Sequence, residues 1–248
     1  MVERHGNWRG WRDFFAARAA RPAPQILDDD PQLASIPKSV ARSLAVFQLG
    51  ESGGGTVVEQ ARDSALAGVD ENYAEAMASF VAEEHRHAEL LACCVRALRG
   101  ELIRRNWTAS LFVFGRRLIG LRLKVMVLLA AEVVGICYYH LLAAHLPESA
   151  MRKLLQEIVE DEKAHLKFHC CFLRTQARNE VQRAIFVGTW RALMFAAAVV
   201  VLVDHRKALR DLAIPPGVAW KRWMVYSRTA ENRVIQANRR TIRALAMR

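Results

Sequence analysis

Two short segments of this chain carry the same arrangement of metal-binding side-chain types: Glu83-Glu84-His85-Arg86-His87 and Asp161-Glu162-Lys163-Ala164-His165. Each holds Glu-x-x-His preceded by a second acid. On an α-helix, residues three apart lie about 60° apart around the axis, so Glu84 and His87 share a face, as do Glu162 and His165. Carboxylate and imidazole together suit iron or manganese. A single Glu-x-x-His arises easily in glutamate-rich helices. Two of them, each with a further glutamate on the preceding helix, at Glu51 and Glu132, form a much stronger pattern. Glu132 lies in the run Val127-Leu128-Leu129-Ala130-Ala131-Glu132-Val133-Val134, where an isolated carboxylate would be costly to bury. A helical bundle with incidental Glu and His on solvated faces is the plain alternative, and it does not account for Glu132.

Spacing tests the set independently. In an antiparallel helix hairpin, facing residues are equally far from the turn. Glu51 and Glu84 are equidistant from the Ala67-Gly68 step, and Glu132 and Glu162 from Pro147. Gly68 with Asp70, and Pro147, are the signals that place these turns. The expected site is therefore a pair of metals among Glu51, Glu84, His87, Glu132, Glu162 and His165. Glu51 and Glu132 would be terminal ligands, Glu84 and Glu162 would bridge, and His87 and His165 would bind one metal each. Four carboxylates balance two divalent cations; without them the carboxylates would repel one another. Glu83 and Asp161 are candidates to accept an imidazole N–H, as metal-bound histidine usually requires; as ordinary surface acids they would do nothing.

The elements that must position these residues read as helices over 39–66, 71–98, 121–145, 149–177, 180–210 and 219–246. Residues 101–120 read as a crossover. Residues 8–20 place Trp8, Trp11, Phe14 and Phe15 at helical spacing opposite arginines, an amphipathic arm that packs on the bundle or meets a membrane or partner. Four prolines and the acidic run Asp28–Asp30 make 21–38 a linker. The organisation expected is arm and linker over 1–38, a di-metal bundle over 39–178, and a helical extension over 179–248. No strand-period alternation is visible, so the fold class is all-α. Residues 185–204 include Ala192–Val203, uncharged but short of the roughly 20 residues that span a bilayer; a helix buried on most sides, at a subunit interface, is the expectation there. A carboxylate at the centre of 125–144 argues against a lipid-embedded helix.

Composition agrees. The 248 residues are 52% hydrophobic and carry a net charge of +11, from 36 Lys+Arg against 25 Asp+Glu. The excess gathers near the two ends, where it is a solubilising surface or a contact for nucleic acid or anionic membrane. Cys93, Cys94, Cys137, Cys170 and Cys171 form neither a zinc nor a disulfide pattern. With no apolar leader at residues 1–20, the expected setting is cytoplasmic, or peripheral to a membrane.

Through Glu51, E84-x-x-H87, Glu132 and E162-x-x-H165, residues 40–177 resemble the ferritin-like superfamily of di-iron carboxylate proteins. That superfamily includes ferritins, rubrerythrins, manganese catalases, arylamine N-oxygenases and hydroxylases. The resemblance implies a four-helix bundle with a long crossover between its second and third helices, here with an arm before it and two helices after it. It implies two iron ions, manganese being the alternative, and reaction with dioxygen or peroxide. Without a Cys-x-x-Cys pair, no rubredoxin-like domain is expected.

Some features bear on which chemistry. Gly53-Gly54-Gly55 follow Glu51; they could thin one wall beside the metals, allow a local helix distortion, or permit close helix packing. Tyr139, His140 and His169 could be further ligands, proton donors or redox partners, whereas His85 should be solvated and Cys94 and Cys171 should pack. The leading expectation is an oxidase or oxygenase acting on a small organic substrate with an external electron donor, by hydroxylation or N-oxygenation. Iron handling or peroxide removal is the second. A hydroxylase that meets membrane or tRNA through the basic ends is the third. A second copy of the chain is a further candidate partner.

Overall fold

The computed structural model describes residues 7–19, 31–53, 55–107 and 120–246, and among these every regular element is helical. The elements are α1 (Trp8–Ala19), a 3-10 turn (Pro31–Ser35), α2 (Lys38–Glu51), α3 (Gly55–Arg62), α4 (Glu71–Ala97), α5 (Leu121–His145), α6 (Ala150–Gln176), α7 (Glu180–Asp204), α8 (Arg206–Asp211) and α9 (Pro216–Ala246). Gly54, Pro22, Pro24 and the acidic run of the linker lie outside the described residues, as does most of the expected crossover.

Local chemistry sets the helix starts. The Asp70 side chain accepts from Tyr73 N at 2.9 Å to open α4, and Ser149 accepts from Arg152 N at 3.2 Å to open α6. At α7, Gln182 N donates to Asn179 Oδ1 at 2.8 Å while Asn179 N donates back to Gln182 Oε1 at 3.4 Å. Each such cap contributes about 1 kcal/mol by satisfying an otherwise orphaned N–H. The turn before α4 holds Gly68 at φ +82°, a conformation open to glycine. At the other end of α4, a Cβ on Gly100 would stand 2.7 Å from that of Ala41, so glycine lets α4 close onto α2.

Two helix pairs form the centre: α2 against α4, and α5 against α6, joined where α4 meets α6. Helix α5 is buried on nearly all sides, which explains its unbroken apolar sequence. The arm lies against α4. Its buried Trp8, Trp11 and Phe15 enter an aromatic cluster with Tyr73 and Phe168, and Trp8 Nε1 donates to the carbonyl of Gly68 at 2.5 Å. Helix α9 packs across α5, α6 and α7.

Three expectations need correction. The helix expected over 39–66 is two helices, with α2 ending at Glu51 and α3 beginning at Gly55. Glycine inside a helix costs about 1 kcal/mol relative to alanine, so the glycine run ends the helix and does not thin a continuous wall. The helix expected over 180–210 breaks at His205, whose imidazole turns inward to Ser43 Oγ at 2.7 Å. Helix α7 is also not buried on most sides: only a third of its most apolar stretch is covered. Helices α5 and α7 are both long and apolar enough to cross a membrane by length and composition, but α5 is mostly enclosed by the protein itself.

Candidate metal centre

Glu84 and His87 project from one face of α4, Glu162 and His165 from one face of α6. All four are buried, and their ligand atoms lie within 4.8 Å of one another. The two imidazoles turn the same nitrogen inward. His165 Nδ1 is 3.0 Å from both Glu84 Oε1 and Glu162 Oε2. His87 Nδ1 is 3.2 Å from Glu162 Oε1 and 3.8 Å from Glu84 Oε1. Each imidazole thus reaches both central carboxylates.

Glu132 comes in from α5, its Oε2 3.7 Å from His165 Nδ1 and its Oε1 3.4 Å from His169 Nε2. Glu51, the last residue of α2, completes the ring. It lies against Glu84 and Glu162 and accepts a 2.8 Å hydrogen bond from the Tyr139 hydroxyl. Glu51 is the only one of these six that is partly exposed. The structure therefore brings together all six residues that the sequence singles out. Tyr139 and His169 sit beside them, whereas His140 and His85 are exposed and point elsewhere. Cys94 is buried, and Cys171 is partly so.

The outward nitrogens of the imidazoles meet acids, and the pairing is crosswise. His87 Nε2 on α4 faces Asp161 Oδ2 of α6 at 3.3 Å, and His165 Nε2 on α6 faces Glu83 Oε2 of α4 at 2.8 Å. The acid ahead of each Glu-x-x-His thus serves the imidazole of the other helix. One guanidinium then joins both acids: Arg18 Nε donates to Glu83 Oε1 at 2.9 Å, and Arg18 Nη2 pairs with Asp161. Arg86 stands farther off, 3.6 Å from Asp161. The arm also sets Phe15 against the His165 ring, with centroids 5.8 Å apart, and Phe80 of α4 closes on His165 and His169 at 4.8 and 4.6 Å. Sequence reasoning missed Arg18 and Phe15. They occupy the inner face of the amphipathic arm, and the sequence does not say where that arm docks.

The electrostatics are those of a crowded acidic pocket. Burial, and then the charges of Glu84 and Glu162, push the carboxyls of Glu51 and Glu132 well above the ordinary range. Burial also opposes charge on Glu162, but hydrogen bonds from Glu132, His165 and His87 outweigh it and hold that carboxylate well below. Burial lowers His87, yet Asp161 and Glu162 raise it to about 9; His165 is raised further by the four carboxylates around it, again against burial. Burial, and then the charge of His165, drive His169 down to about 3 against the opposing pull of Glu162. Burial and mutual repulsion thus favour the neutral forms of Glu51 and Glu132, and the surrounding acids favour the charged forms of His87 and His165.

The donor set fits divalent cations that favour oxygen and nitrogen. Glu84 Oε1, His87 Nδ1 and both nitrogens of His169 are buried without a well-directed hydrogen bond, although ionisable neighbours lie 3.0, 3.2 and 3.4 Å from three of these four atoms. Buried polar atoms of this kind call for an explanation, and a cation shared by Glu84, His87, Glu162 and His165 supplies one for the first two. Three cavities lie elsewhere. One of about 560 Å3 is at Gln60–Leu66 and Gly120–Leu123, one of about 180 Å3 at Lys38–Val46 and Asp204–Ala208, and one of about 630 Å3 at Leu202–Pro216. None of the three is lined by the six residues.

No protein-family model matches the chain, and neither a curated protein nor a solved structure matches it significantly.

Two outcomes follow for metal uptake. A cation competes with protons for His87, His165, Glu51 and Glu132, most directly with the proton on His87, so binding is expected to release protons. Because His87 titrates at about 9, affinity for ferrous or manganous ion rises as pH increases from 7 towards 9. Calorimetric titrations across this window test it, and a pH-independent affinity contradicts it. Arg18→Met leaves Glu83 and Asp161 short of their shared cation and is expected to weaken metal binding by about 10–100-fold, the usual effect of losing support behind a ligand. Arg86→Met should matter less. Equal affinities for wild type and Arg18→Met would remove Arg18 from the site.

Proposed function

We propose that the chain is a ferritin-like di-metal carboxylate protein that holds two iron ions among Glu51, Glu84, His87, Glu132, Glu162 and His165, and that it is an oxidoreductase. The observation that carries this reading is the convergence of both Glu-x-x-His segments, with each imidazole backed by the acid of the other segment. An incidental cluster of acids gives no reason for that order. When bound by these six residues, such a metal pair would supply electrons to dioxygen or peroxide.

The chain's own residues would govern what is oxidised. Phe15, Phe80 and the buried apolar face of α5 exclude water from the α1 and α6 side. Glu51 is the partly exposed ligand, and it stands where α2 gives way to the glycine step. Access is therefore at Glu51, and the Tyr139 hydroxyl, 2.8 Å from Glu51 Oε1, holds a proton there. This arrangement favours an oxidase or oxygenase that admits a small organic substrate at the α2–α3 break and hydroxylates or N-oxygenates it, with an external electron donor. The second reading is iron handling or peroxide removal.

Protein from iron-supplied cells should carry about two irons per chain, in line with this donor set, and Glu84→Ala combined with Glu162→Ala should abolish them. A double variant that keeps its iron contradicts the site. With reductant and labelled dioxygen, label entering an added organic substrate supports the oxygenase reading. Oxidation of ferrous ion or consumption of peroxide with no organic product supports the second.

A further inference from the structure

Helix α7 buries one face and leaves the other bare. Val181, Ile185 and Phe195 are 67%, 64% and 59% exposed, and Val199 and Val203 are exposed as well. Between them Ala184, Gly188, Ala192 and Ala196 are also exposed. Arg191 is the one exposed charged side chain in this stretch, and it is tied to Glu231 of the same chain at 2.9 and 2.8 Å.

The order of sizes along this face mirrors itself about Ala192 at three pairs of positions, and Phe195, whose counterpart is the smaller Thr189, is the exception. Gly188 and Ala196, one helical turn away on either side, are small. Ile185 and Val199, two turns away, are large, and so are Val181 and Val203, three turns away. When two copies of such a helix lie antiparallel across a two-fold axis at Ala192, Gly188 of one meets Ala196 of the other, Ile185 meets Val199, and Val181 meets Val203. The small residues let the helices approach closely at the crossing and the larger ones close the ends. An isologous interface requires this self-complementarity.

Gly188 gives an independent indication. Among the described residues, a Cβ added there meets nothing within 4 Å, yet a glycine in mid-helix costs about 1 kcal/mol relative to alanine. The described packing of one chain gives no reason for it, whereas close approach of a second backbone does. The bare apolar area on α7 is on the order of 500–600 Å2, the upper end of what monomers leave exposed. The exposed Val218 and Val225 of α9, which packs beside α7, add to it. Such an area approaches the ~800 Å2 that each partner contributes to a standard interface. A lipid surface would read only the hydropathy of this face and would give no reason for the symmetry about Ala192.

We propose that the exposed face of α7 is the two-fold interface of a homodimer, in which α7 crosses its counterpart antiparallel at Ala192. The proposal is independent of what the metal centre does. Light scattering on the full chain at micromolar concentration should give the mass of a dimer, and Ala192→Glu should give a monomer of unchanged helicity, melting temperature and metal uptake. In a Cys93→Ser background, Ala192→Cys should cross-link to itself on oxidation. Val181→Cys should cross-link to Val203→Cys in a mixture and not to itself. A monomeric wild type, or a dimer that survives Ala192→Glu, overturns the proposal. So does a monomer that sediments with anionic phospholipid vesicles, which would give the face to a membrane, and so does self-linking of Val181→Cys, which would exclude the antiparallel crossing.

Discussion

Placing Glu51, Glu84, Glu132 and Glu162 in one core sets like charges against one another where water cannot screen them. Desolvation and repulsion together cost far more than a fold of marginal stability can leave uncompensated. The surroundings answer with alternating charge. The imidazoles of His87 and His165 stand between the central carboxylates and an outer pair of acids, Asp161 and Glu83. Arg18 stands outside those and touches both. Each layer compensates the one within it. The innermost compensation is left to protons or to cations, and the carboxylate–imidazole geometry suits cations.

This constraint explains features of the architecture that helix packing alone leaves unaccounted for. Neither α4 nor α6 is satisfied separately, because each histidine takes its outer partner from the opposite helix. The arm is required because Arg18 lies on it, and the aromatic cluster of Trp8, Trp11, Phe15, Tyr73 and Phe168 holds it in place. Glu51 differs from the other three acids. It ends α2 at a glycine step and keeps partial exposure, so it combines a ligand's position with a route outward.

The convergence of the six residues was legible in the sequence because helical geometry is local. Three-residue spacing puts Glu84 with His87 and Glu162 with His165, and equal distances from Gly68 and Pro147 match Glu51 to Glu84 and Glu132 to Glu162. The roles of Glu83 and Asp161 were foreseen in kind, but their exchange between helices depends on the crossing of α4 and α6, which no one-dimensional spacing encodes. Arg18 was hidden for the same reason: it was one of several arginines on a basic arm. Of the readings of the glycine run, a thinned wall, a local helix distortion or close helix packing, the break between α2 and α3 fits the distortion. The symmetry of α7 about Ala192 was present in the sequence. It gained meaning when the structure showed which face of that helix is bare.

The proposed function depends on two cations, which Glu84 and Glu162 would share. Anomalous diffraction at the iron and manganese edges, from crystals of protein produced with those metals, locates such ions directly. Two peaks are expected, both in contact with Glu84 and Glu162, one also at His87 Nδ1 and Glu51 or Glu132, the other at His165 Nδ1 and the remaining glutamate. A single peak, or metal bound only elsewhere on the chain, would contradict it.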